Sequence, residues 1–189
     1  MTATKITPGL ITTLVGATGL PASAGYEFVS SVTASTSTTV AFTSMATGYD
    51  YRIQWDNLQG SANTTISAEL GVTGPTYRTS AYLGQVTKIA ATTPETTTAT
   101  ANIMLSRGSI GNATDEKCAG YIEIRDPANA STDTFWLAYG GFRNNVNVYE
   151  FMWSGGFNST AEAHTAIQFK MATGTIATGF FKLYRRPNA

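Results

Sequence analysis

The chain has one cysteine, one histidine and little charge, and each shortage removes a class of chemistry. Cys118 alone cannot build an internal disulfide framework or supply a second thiolate to a zinc site. It reads as a small buried apolar residue. His164 is the only imidazole, so a Ser-His-Asp relay would have to use it, yet Ala163-His164-Thr165-Ala166 carries no Gly-x-Ser-x-Gly elbow. A surface or sheet-edge histidine is expected instead. Charged residues are 13% of the 189, against roughly 25% in an average soluble domain, which excludes a solvated coiled coil and charge-driven disorder. Twelve basic side chains balance twelve acidic ones, so no long-range field steers the chain onto nucleic acid or an anionic membrane. No apolar run approaches the ~18 residues of a membrane span. The protein therefore reads as soluble, with no membrane insertion and no nucleic-acid partner.

The polarity comes from hydroxyls: 32 threonines and 14 serines accompany 18 glycines, while aromatic residues stand at 11%. β-Branched and aromatic residues favour strands, and glycine favours turns. The length suits one domain, residues 25–189, preceded by an arm, residues 1–24. In the arm, Lys5 precedes a weakly apolar stretch and Ala22-Ser23-Ala24 imitates a secretory cleavage site. Pro8, Gly9, Thr12, Thr13, Gly16 and Thr18 interrupt that stretch, so a signal peptide is not expected. An extended arm is, with Ile6, Leu10, Ile11, Leu14 and Val15 buried against the body or a neighbouring subunit.

From Tyr26 onward the apolar period is two. Tyr49, Tyr51, Ile53 and Trp55 fall on one face, with Asp50, Arg52 and Gln54 on the other, as in a half-buried antiparallel strand. Similar alternation marks 26–32, 40–42, 66–72, 101–105, 135–139 and 167–171, and pieces rich in turn residues at 57–63, 71–75, 108–112 and 126–133 separate them. The threonine-rich Ala90–Thr100 reads as a loop feeding the strand around Ile103. No segment sustains a 3.6-residue period, so the expected fold is all-β: an antiparallel sandwich wired as a jelly roll.

Catalytic signals are sparse. Glu123, Glu150 and Glu162 offer carboxylate pairs of the kind glycosidases use, but any strand-rich chain does. Asp126, Asn129 and Asp133 lack the spacing of a calcium loop and read as turn formers. Four Asn-x-Ser/Thr matches are about what this composition produces by chance. Neither an enzyme nor a cofactor or metal is expected. The aromatic cluster says more. Phe135, Leu137 and Tyr139 share a face opposite Trp136, while Tyr149, Phe151 and Trp153 share one opposite Glu150. Both faces of these strands carry large apolar surface, so the cluster is core alone, or one face is core while the other is a subunit interface or a platform for sugar rings.

Two stretches carry a likeness. In one, Tyr26–Leu58, the strand Ser35-Thr36-Ser37-Thr38-Thr39-Val40-Ala41-Phe42-Thr43 leads into Gly48-Tyr49-Asp50-Tyr51-Arg52-Ile53, and in the other, Ala166–Tyr184, an apolar strand, a glycine-containing hairpin and a terminal strand close the chain. In both, the chain resembles small jelly-roll virion proteins of tailed bacteriophages, of the marine and cyanobacterial type. It departs by continuing through Arg185-Arg186-Pro187-Asn188-Ala189, read as a solvated tail. The resemblance implies a structural virion role and multimeric assembly, and carries no active site. The expectation is a capsid decoration or cement protein, a homo-oligomer with a trimer favoured, docked on the major capsid protein or another virion protein. The alternative is a tail module binding host surface glycan. Interface candidates are Ile6, Leu10, Ile11, Leu14, Trp136, Tyr149 and Trp153.

Overall fold

Period-two alternation becomes thirteen antiparallel strands in the computed structural model, which describes residues 25–74, 76–90 and 93–188, with no helix among them. Eight strands form a large sheet, in the order β1 (Glu27–Ser37), β13 (Ile176–Pro187), β3 (Tyr49–Gly60), β9 (Cys118–Arg125), β10 (Thr134–Arg143), β11 (Tyr149–Asn158), β6 (Tyr82–Ala90) and β7 (Thr93–Ala99). A smaller sheet runs β2 (Thr39–Phe42), β12 (Ala166–Met171), β4 (Ile66–Val72) and β5 (Thr76–Tyr77), with β8 (Ile103–Met104) also on β4. The two sheets pack as a sandwich. Successive strands cross between sheets from β1 to β2, from β3 to β4 and from β12 to β13, an order consistent with a jelly roll. Strands β10, β11, β6 and β7 then extend the large sheet sideways.

Alternation decides the filling. Tyr51, Ile53 and Trp55 of β3 are buried, as are Ile122 and Ile124 of β9 and Phe181 and Leu183 of β13. Phe169 of β12 joins the layers, its ring 6.0 Å from Trp55 and 5.2 Å from Phe181. Tyr82 joins them again: its hydroxyl accepts from the Leu70 N–H at 2.8 Å and donates to the Arg78 carbonyl at 3.2 Å. Two indoles press against strands that glycine leaves bare. A Cβ on Gly120 would meet Trp55 at 2.6 Å, and one on Gly84 would meet Trp136 at 2.6 Å.

Several expectations are corrected here. Trp136 belongs to the core, 2% exposed, with its ring edge-on to Tyr82 at 5.8 Å. The threonine-rich segment is not a loop but the edge strand β7, paired with β6 from Thr93 to Ala99. β-Branched side chains suit the pleat, and Pro94 is tolerated because an edge leaves N–H groups unpaired. The predicted turn at 57–63 begins later, because β3 absorbs Asn57 as a bulge with φ of 51° and continues to Gly60.

Charge pairing corrects two more. Arg185 and Arg186 are not a solvated tail: β13 carries them between β1 and β3, where Arg185 pairs with Glu27 and Arg186 donates to Asp50 at 3.1 Å. Asp50 is buried and also accepts from Arg125 at 2.8 Å, so one carboxylate links β3, β9 and β13. His164 is fully buried rather than at a surface or edge. Its Nδ1 lies 2.8 Å from the Thr134 hydroxyl and its Nε2 lies 3.3 Å from a Glu162 oxygen.

Candidate functional site

The outer face of the extended half of the large sheet is where chemistry accumulates. On β10 the inward residues Trp136, Ala138 and Phe142 are buried, leaving Phe135, Leu137 and Tyr139 outside, with Phe135 52% exposed. On β11 the inward residues are Glu150, Met152 and Ser154. The outward ones are Tyr149, Phe151 and Trp153, at 72%, 70% and 57% exposure. The next strand, β6, adds Leu83 and Ile89.

Register sorts these side chains into rows across the strands, about 6.8 Å apart along them. The first row is Leu83, Phe157, Phe135 and Arg125, and the second is Gln85, Gly155, Leu137 and Glu123. The third is Thr87, Trp153, Tyr139 and Tyr121, and the fourth is Ile89, Phe151, Gly141 and Ala119. Rings thus form ridges, with relief where glycine supplies none. Phe135 and Phe157 lie 5.4 Å apart in the first row, and Tyr139 and Trp153 stack at 6.3 Å, 10° from parallel, in the third. Between these ridges Gly155 opens a groove of about 540 Å³, with Gln85 and Thr87 at one end and Glu123 and Arg125 at the other. A second hollow, of about 780 Å³, opens around Gly141 and Ala119 beside Phe151 and Tyr149.

Charges at the border are paired. Glu123 accepts from Arg52 at 3.0 Å, Arg125 donates to Asp50, and Arg143 pairs with Asp115. The face is therefore apolar and close to neutral. Taking about 200 Å² for each large side chain, the exposed fractions of the eight named apolar residues on β6, β10 and β11 amount to roughly 850 Å². The largest apolar patch on a typical monomer is about 300–600 Å².

Of the side chains singled out for chemistry, His164 and Glu162 meet at 3.3 Å, but the three carboxylates do not converge. Glu123 points outward on β9, Glu150 inward on β11 against Asn144 at 2.8 Å, and Glu162 holds Arg78. The first two face opposite sides of the sheet and cannot flank one cleft. His164 sits among buried groups, where loss of hydration lowers its pKa while neighbouring Glu162 opposes the shift. Burial pushes the Cys118 thiol up to about 12, against the N–H of Trp55 that donates to it at 3.3 Å. Such a thiol is no nucleophile near neutral pH. Asp126 accepts from Asn129 at 3.1 Å, which is turn chemistry, and from the distant Gly48 N–H at 3.0 Å, which ties two loops together. Among the described residues no three His, Cys, Asp or Glu side chains gather as a metal cluster.

Of the interface candidates, Tyr149 and Trp153 lie on this face, Trp136 lies beneath it, and Ile6, Leu10, Ile11 and Leu14 fall outside the described residues. Leu83 and Ile89 were missed. Their signal was the alternation of Leu83, Gln85, Thr87 and Ile89 with Tyr82, Gly84 and Val86. No family model, curated protein or solved structure matches the chain.

Proposed function

We propose that this chain is a structural protein of a tailed-bacteriophage virion, a β-sandwich that decorates or cements the capsid exterior as a homo-oligomer. The observation that carries the assembly role is the outer sheet face, whose roughly 850 Å² of apolar side chain matches the ~800 Å² that one partner buries in a standard protein interface. The phage setting rests on the resemblance of 26–58 and 166–184. The role is mechanical and calls on no catalytic residue, and two packed sheets with paired border charges suit it. Gold labelling of intact virions with an antibody to this chain tests it. Label over the heads is the expected result, and its absence from virions with an accessible epitope refutes the proposal.

A second reading has its own observation. The groove over Gly155, walled by ring pairs and ended by Gln85, Thr87 and Arg125, has the makings of a sugar site in a tail receptor-binding module. Apolar ring faces would stack on the sugar while the polar ends bind its hydroxyls. Label confined to the tail, with Trp153→Ala abolishing retention on host polysaccharide, would favour it.

A further inference from the structure

We infer that the outer face pairs with the same face of a second copy, about a two-fold axis lying between the row of Gly155 and the row of Trp153. This rests on the reading of the chain as an assembly subunit and names the partner of that surface. Three observations carry it. The exposed apolar area is what one partner of a stable pair buries, and the face is close to neutral, so identical copies do not repel. The hollows over its two glycines also face rings of the same surface.

The third point follows from the register. A two-fold axis that lies in the interface and runs across the strands keeps each strand opposite its own copy and exchanges neighbouring rows. Trp153 of one copy then stands over Gly155 of the other, and Tyr139 over Leu137. One step outward the same axis sets Phe135 over Gly141, Leu83 over Ile89 and, on β11 itself, Phe157 against Phe151, ring on ring. Each hollow receives a ring. Polar groups meet as well, with the Tyr121 hydroxyl opposite the Glu123 carboxylate and Thr87 opposite Gln85. The result is an aligned sheet-on-sheet packing, with about 10 Å between sheets, the spacing ordinary sandwiches use. Stacking of Tyr139 on Trp153 holds the central ridge in place before docking, which lowers the ordering cost.

The test is light scattering and sedimentation velocity on the full chain and two variants. Trp153→Ala removes the central ridge and should weaken self-association about thirtyfold or more, the loss expected of a central aromatic anchor. Gly155→Tyr fills the groove from the solvent side and should leave a monomer whose circular dichroism and melting match those of the Trp153→Ala monomer. A wild-type dimer lost in both variants supports the pairing. A wild-type monomer, a trimer, or a dimer untouched by both variants overturns it, as does a monomer that binds soluble polysaccharide through Trp153. The outcome is separable from the virion assignment: a dimer whose antibody finds no virion keeps this inference and refutes that one.

Discussion

Replacing Trp136 with alanine removes an indole that is 2% exposed, packed edge-on to Tyr82 and laid against Gly84 and Gly156. Those glycines have no side chains to fall into the space, so the cavity stays open and the loss sits near the upper end for a buried aromatic, about 4 kcal/mol. In a domain of this size that lowers the melting temperature by roughly 8–16 °C. Trp153→Ala removes a similar ring from the outer face, where a surface substitution alters monomer stability by only about 0.5 kcal/mol. Thermal melts followed by circular dichroism at two protein concentrations separate the cases. The Trp136→Ala loss should be the same at both, whereas any Trp153→Ala loss should grow with concentration, because it acts through association. Equal, concentration-independent losses in the two variants would refute the assignment of opposite roles to these tryptophans.

His164 is held neutral by burial, its pKa below the ordinary value near 6.5, so the unfolded chain binds the proton more readily. Its contribution is complete above about pH 6.5 and is lost as pH falls toward the lowered value. Urea midpoints should therefore drop between about pH 7.5 and 5 in the wild type and less in His164→Gln. Cys118, with its thiol near pKa 12, should resist a thiol-reactive disulfide at pH ~8 while folded and react fully in denaturant; rapid labelling of native protein would contradict its burial. Asp50→Ala strips the carboxylate shared by Arg125 and Arg186, and because both guanidinium groups keep partial access to water, a loss of about 2 kcal/mol is expected in equilibrium denaturation.

Much of the fold was legible in the sequence. Tyr51, Ile53 and Trp55 share the buried face of β3, and Ile66–Val72 and Ile167–Met171 lie in the strands their apolar residues suggest. What misled was composition standing in for pairing. Threonine-rich Ala90–Thr100 looks like a loop until β6 offers β7 a partner, and Arg185-Arg186 looks like a solvated end until Asp50 and Glu27 are set beside it. The candidate site was half legible: Tyr149 and Trp153 were marked, while Leu83 and Ile89 belong to the face only because β6 pairs with β11 across more than sixty residues of sequence.

The division has a simple cause. That Trp136 and Phe135 point opposite ways, and that Glu150 opposes Trp153, follows from the chain alone, because successive side chains of an extended backbone leave on opposite sides. Which side becomes interior does not follow. The cover comes from residues far along the chain, with Ile103, Leu105 and Ile110 in the same core as Trp136, while Trp153 is left among the rings of the outer face. The period set two apolar faces; only the arrival of distant strands on one of them made it core and left the other as a surface.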